Sequence, residues 1–376
     1  MPYRILSLDG GGIRGTLAAQ ILEGFEKLVD QPLHEYFDLI AGTSTGSIIA
    51  TGIAGKKSAR DLLNLYRENG HRIFPYSGTW GYFNPRRLKI VLERGLSAPK
   101  FSHDGLIEVL KEQFGAKTTL GELTPSVESP GKLLITSYDT ITRRPEVFKS
   151  WRHKMWYADI PVWELCVCSA SAPTFFPAYR IPKPRDEEFS GIDGGVSANN
   201  PVACALAEAV RLGNDLRNIS VLSIGTGDVT KPISYEEART WGVLNWAGHI
   251  IDVLMDGPLD INDYIAREIL FGEDKPDRYL RLQPNLSTQY LASLMDSELK
   301  QELLSSLDEE ERKKIKRGRI EVIEAIDDAS PYNIEVLATL GKAFLKNAGI
   351  VRRNPQENVE TASVKEKMLD FIAASR

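Results

Sequence analysis

Apolar residues fall into short dense runs between glycine-rich turns over the first 230 positions, then into helical, heavily charged segments. Residues 4–8 read as a buried strand ended by Asp9. Gly10-Gly11-Gly12-Ile13-Arg14-Gly15 follows as a glycine loop, and residues 16–29 carry Leu17, Ile21, Leu22, Phe25 and Leu28 at helical spacing. A second strand is predicted over 38–43 and a second helix over 47–54. Strand, helix, strand, helix is how a parallel sheet with helices on its faces begins. Residues 58–127 read as mostly helical and irregular, and 73–83 are rich in aromatics and glycine, as ordinary packing, a lid or an interfacial surface would be.

Further strands are expected at 132–138, 145–151, 189–193 and 219–224, the last stopped by Gly225-Thr226-Gly227. Cys166-Val167-Cys168 alternates as a strand does, which would put both thiols on one side as buried fillers. Asn199-Asn200-Pro201 precedes a helix, with the proline near its first turn. Residues 290–326 read as helical, with acids four positions before bases across Asp308–Lys314. Two more helices are expected at 333–348 and 362–373. The domain seam is placed near 228–240, giving an α/β domain over 1–228 and a helical C-terminal region over 229–376 packed on it.

Composition adds limits. The 376 residues carry a net charge of −5, so no basic field favours a nucleic acid polymer. Three cysteines without framework spacing argue against a disulfide scaffold, and no zinc-ligand pattern occurs. No run of about 18 apolar residues exists to span a bilayer. The chain reads as cytoplasmic and without a signal peptide, touching a membrane at most from one side.

The candidate chemistry centres on Gly42-Thr43-Ser44-Thr45-Gly46. A G-x-S-x-G pattern between a strand and a helix is a nucleophile elbow. Gly42 and Gly46 leave room for a sharp turn, and the helix N-terminus behind Ser44 favours developing negative charge. A serine hydroxyl needs a base. His71, His103, His153 and His249 follow it, but none ends a strand in a glycine-flanked loop; His249 is the best placed, in an expected helix. The alternative base is Asp193, between a strand and two glycines, provided that its environment raises its basicity. Gly10, Gly11 and Gly12 would offer backbone N–H groups to an oxyanion, with Arg14 adding charge. The same loop also satisfies the dinucleotide fingerprint, with Asp30 near the acidic position, so a nucleotide-binding oxidoreductase is the competing reading. Asp30 follows a helix, however, and closes no second strand.

Four ordered segments now coincide: Asp9–Gly15, Gly42–Gly46, Ser171-Ala172-Pro173-Thr174-Phe175-Phe176-Pro177, and Asp193-Gly194-Gly195. Over about residues 3–228 the chain closely resembles the patatin-like phospholipases. The resemblance implies a three-layer α/β/α fold with a mainly parallel central sheet and, here, an appended helical C-terminal region. It implies a serine-dependent carboxylic ester hydrolase with a Ser–Asp dyad, Ser44 as nucleophile and Asp193 as base. The oxyanion hole would be the backbone at Gly10, Gly11 and Gly12 with Arg14. No metal or other cofactor is required. The substrates implied are membrane phospholipids or galactolipids, met by peripheral contact. Storage members of the family leave a non-catalytic role as a third reading. Bacterial members with a short N-terminus and helical C-terminal region imply a cyclic nucleotide activator, which no motif in 230–376 marks.

Overall fold

The computed structural model describes residues 2–76, 98–228, 232–270, 278–313, 315, 319–350 and 362–376. Its main sheet has eight strands: β1 (Tyr3–Leu8), β2 (Leu39–Thr43), β3 (Lys132–Asp139), β4 (Arg144–Lys149), β5 (Tyr179–Pro182), β6 (Glu188–Asp193), β7 (Ile219–Ile224) and β8 (Tyr279–Leu282). Their order is β5-β6-β3-β2-β1-β7-β8, with β4 also paired to β3. The pairs among β3, β2, β1, β7 and β8 are parallel, while β4, β5 and β6 pair antiparallel.

The helices that matter here are α1 (Gly15–Val29), α2 (Thr45–Ala54), α3 (Ala59–Ile73), α4 (Asp104–Phe114), α5 (Val162–Ser169), α6 (Val202–Arg211), α7 (Val243–Leu270), α8 (Pro331–Asn347) and α9 (Val364–Ala374). Because side chains alternate along a strand, the central strands bury two sets of residues. Leu6, Leu8, Ile40 and Leu222 pack with α1, α2 and α8 on one face. Ile5, Leu39, Ala41 and Val221 pack with α6 and the end of α7 on the other. The result is a mixed α/β molecule of three layers with a mostly parallel sheet.

Three expectations change. Residues 166–168 lie in helix α5, not a strand. Val162, Leu165, Cys166 and Ser169 keep helical spacing, and α5 packs against β3, β6 and α4, so both thiols are buried although they point to different sides. Residues 290–326 are not one helical stretch. Short helices at Thr288–Leu294, Ser297–Ser306 and Glu309–Lys313 give way to irregular chain over 319–326. The Ser287, Asp296 and Asp308 side chains each accept a backbone N–H three residues on, which starts a new helix at each point. Residues 279–282, within the region read as helical, form β8 along β7. The aromatic stretch 73–83 lies outside the described residues from position 77 onward.

One feature of the sheet fixes the site. β2 pairs with β3 as far as Thr43↔Thr136, and β6 pairs with β3 from Ser137↔Asp193. β4 occupies the opposite edge of β3 over Leu134–Asp139, so β2 and β6 share one edge. Running in opposite directions, they meet head to head beside Thr136 and Ser137. The residue after β2 is Ser44, and the last residue of β6 is Asp193.

Candidate active site

Ser44 adopts φ 53° and ψ −123°, a conformation rarely tolerated by a residue with a side chain. The surroundings hold it there. Its carbonyl accepts from the Ser47 N–H at 2.9 Å and the Ser47 hydroxyl at 2.6 Å. Its own N–H donates to Ser169 Oγ at 2.9 Å. A Cβ on Gly42 would lie 2.2 Å from the Gly46 carbonyl oxygen, and one on Gly46 would lie 2.2 Å from that of Leu8. Strand, serine and helix therefore fit together only with glycine at both positions. Helix α2 starts directly behind Ser44, with its N-terminal dipole at the turn.

Asp193 is fully buried. Its Oδ1 accepts from the Gly195 N–H at 2.7 Å. Its Oδ2 is buried and forms no hydrogen bond of full geometry. Burial pushes the carboxyl up to about 7, against the opposing pull of the nearby Ser44 hydroxyl and of the Gly195 N–H. Over Gly195 rests Met255 of α7, whose sulfur would lie 2.5 Å from a Cβ at that glycine.

The glycine loop packs against both. A Cβ on Gly10 would lie 3.1 Å from Ser44 Cβ. The Gly10 N–H is engaged, donating to the Asn199 carbonyl at 3.1 Å, so it does not face an oxyanion. The Gly11 carbonyl accepts from the Arg14 N–H at 3.1 Å and from Arg14 Nε at 3.4 Å. Gly12 has φ 58°, and a Cβ there would lie 2.1 Å from the Ile326 carbonyl oxygen. Arg14 is buried beside the loop. The Asp9 carboxylate at the head of the loop is gripped by Arg281 of β8; burial pushes Asp9 up to about 6, against the pull of the guanidinium.

These residues line a cavity of about 640 Å³. Ser44, Thr45, Asp193, Gly11, Gly12 and Arg14 form its polar part. Ile48, Ile73, Phe74, Leu106, Phe175 and Phe176 form an apolar wall, and Val253 and Met255 of α7 close another side. The volume and the few convergent polar groups suit an apolar ligand with one reacting centre.

The histidines lie elsewhere or are otherwise engaged. His71 is exposed on α3, His103 hydrogen-bonds Ser171 Oγ at 2.9 Å, and His153 donates to the Thr124 carbonyl at 2.9 Å. His249 lines the cavity, with its ring stacked on Trp241 and Nδ1 donating to the Asn245 carbonyl at 3.0 Å. Asp30 is exposed at the end of α1, with φ 52° and no strand to carry it toward the loop. Among the described residues, no group of three or more His, Cys, Asp or Glu is arranged to hold a metal ion.

A family model for patatin-like phospholipase matches residues 6–206, a span that contains the elbow, Asp193 and the glycine loop. The chain belongs to the patatin-like phospholipase family. Patatin-15 of Solanum tuberosum is 30% identical over 392 aligned positions, covering 95% of this chain and 87% of the relative. A second Solanum tuberosum relative, named probable inactive patatin-3-Kuras 1, is 29% identical over 76% of this chain and 79% of its own. The human GIVD cytosolic phospholipase A2, solved with methyl gamma-linolenyl fluorophosphonate, is 14% identical with a TM-score of 0.44. That comparison covers 90% of this chain, which spans just over half (56%) of the human chain.

In this patatin-like phospholipase several site residues escaped the sequence reading. Ser169 holds the Ser44 amide, and nothing local marks it beyond a hydroxyl following an apolar run. Asn199 lines the cavity with Oδ1 buried and unpartnered. The Tyr66 hydroxyl meets the Thr45 side chain across the cavity wall, a contact with no local signal.

Proposed function

We propose that this chain is a lipid acyl hydrolase that cleaves fatty acyl esters of membrane glycerolipids through an acyl-Ser44 intermediate. The observation that carries the reading is the head-to-head meeting of β2 and β6, which delivers a strained serine and a buried carboxyl to the floor of one apolar-walled cavity. In the scheme, Asp193 accepts the Ser44 proton as Oγ bonds to the acyl carbon, then passes it to the departing alcohol oxygen. Water attacks the acyl-enzyme in turn, giving its proton to Asp193 and restoring the Ser44 hydroxyl. The N–H groups of Gly11 and Gly12, with the charge of Arg14, stabilise the oxyanion in both halves. Gly10 acts by its smallness. No step calls for a metal ion or another cofactor.

Peripheral contact with a membrane, from the cytoplasmic side, belongs to the same proposal. No helix among the described residues is long and apolar enough to cross a bilayer. Helix α7, which supplies Val253 and Met255 to the cavity, turns Val243, Ile250, Leu254, Ile261 and Ile265 outward at steps of seven and four, on one face. An exposed apolar face on a helix that also lines a lipid-sized cavity suits a lipid surface. A cyclic nucleotide activator stays an implication of family resemblance alone.

The deciding experiment is hydrolysis of mixed phospholipid and galactolipid vesicles followed by product analysis. Ser44→Ala and Asp193→Asn should each lower turnover by at least about 10³-fold while the circular dichroism spectrum is kept. Full activity in Ser44→Ala would end the proposal.

A further inference from the structure

The turn Gly225-Thr226-Gly227 follows β7 and has no part in the scheme above, yet it touches the glycine loop directly. Thr226 Oγ1 donates to the Gly10 carbonyl at 2.7 Å, and Thr226 is buried. A Cβ on Gly11 would lie 2.2 Å from the same Oγ1. A trans peptide is planar, so the Gly10 C=O and the Gly11 N–H point in opposite directions. Fixing the carbonyl on Thr226 therefore turns the Gly11 N–H away from Thr226, and Gly11 lines the cavity that holds Ser44. Glycine, with its wide choice of backbone angles, would otherwise let this peptide plane rotate. The next plane is held in the same way, since the Gly11 carbonyl accepts from the Arg14 backbone N–H and side chain.

We propose that Thr226 is a positioning residue of the oxyanion hole: its hydroxyl sets the Gly10–Gly11 peptide plane so that the Gly11 N–H faces the developing oxyanion on the acyl group at Ser44. The inference rests on the hydrolase reading and adds a residue far from the elbow in sequence. Thr226 touches no substrate. It acts through the peptide that does, and a preorganised donor of this kind strengthens the transition state more than the ground state.

The test compares wild type, Thr226→Val and Thr226→Ser on a soluble p-nitrophenyl acyl ester, with melting temperature measured in parallel. Valine keeps the shape and loses the donor. Its kcat should fall about 10- to 100-fold, less than the roughly 10²–10³-fold lost when an oxyanion donor is removed outright, because the Gly11 N–H stays in place and only its aim is loosened, with KM within about twofold. Thr226→Ser keeps the donor and should restore kcat to within about threefold of wild type. A merely structural role would lower the melting temperature of the valine variant without a selective loss of kcat. An active wild type matched in kcat by a folded Thr226→Val overturns this inference alone. A valine variant that fails to fold leaves Thr226→Ser and Thr226→Ala to decide: serine as active as wild type, with alanine, which has no donor, depressed in kcat and not in KM, supports the inference, and equal activity in all three overturns it. A wild type inert toward the ester overturns the hydrolase reading together with it.

Discussion

Ser44 holds a backbone conformation that costs on the order of 1–3 kcal/mol, and the hydrogen bonds to its carbonyl and N–H are what keep it there. Asp193 carries a second cost, because its carboxyl is buried with one oxygen outside any well-formed hydrogen bond. Its pKa of about 7 against an ordinary value of 3.8 has two consequences. In the proposed scheme Asp193 must be ionised to act as the base, so kcat/KM on a soluble ester should rise with pH and level off above about 7. A profile flat from pH 5 to 8 would remove Asp193 from that role. The folded protein also binds this proton more tightly than the unfolded chain does. The contribution favours folding fully below pH 3.8 and is lost as pH rises through about 7. The melting temperature of Asp193→Asn should therefore gain on that of wild type as pH climbs from 4 to about 7, then hold steady, in calorimetry at each pH.

Among the elements, α7 works in two directions. One side meets the loop after Asp193 through Met255 and closes the cavity; the opposite side leaves large apolar residues in solvent, Val243 at 86% exposure and Ile261 at 52%. Fully burying such a side chain is worth about 1.5–3 kcal/mol, and Ile250 and Leu254, 39% and 42% exposed, together keep enough of it for about a tenfold change in binding. The double variant Ile250→Asp/Leu254→Asp should lower vesicle flotation and vesicle turnover about tenfold or more and leave hydrolysis of a soluble short-chain ester within about twofold. Equal losses on both substrates would place the effect inside the cavity and sink the membrane role of this face.

At the scale of the whole molecule, the last third of the chain is built into the site. β8 extends the sheet beyond β7, and its Arg281 reaches across to Asp9, with Nη1 3.0 Å from Oδ1 and 2.8 Å from Ser223 Oγ. Asp263 of α7 stands 4.0 Å from the same guanidinium and accepts the Tyr279 hydroxyl at 2.5 Å. Residues 324–327 line the cavity, and the Ile326 carbonyl receives the Ile13 N–H at 2.8 Å. We propose on this ground that 1–228 and 229–376, though distinct in sequence character, fold as one unit. Arg281→Met leaves the Asp9 charge buried without its partner and should cost about 3–5 kcal/mol in chemical denaturation. Adding Asp9→Asn should recover part of that loss. A single variant as stable as wild type would show that the pair is not what joins the two segments.

The sequence by itself determined the parts whose signals are local. The strands at 3–8, 39–43 and 219–224 stand close to where apolar runs put them, because a strand buried on both faces needs an unbroken apolar run. The elbow was legible because only glycine fits at 42 and 46. Residues 162–169 were misread over their two cysteines, since a helix buried on all sides has no polar stripe to reveal its period. Tertiary structure decided the rest. It brought β2 and β6 end to end along β3, engaged the Gly10 N–H with Asn199, set Thr226 against the glycine loop, and raised Asp193 through burial. None of these has a local signature, because each depends on which segments the sheet places side by side and on how much water that packing removes.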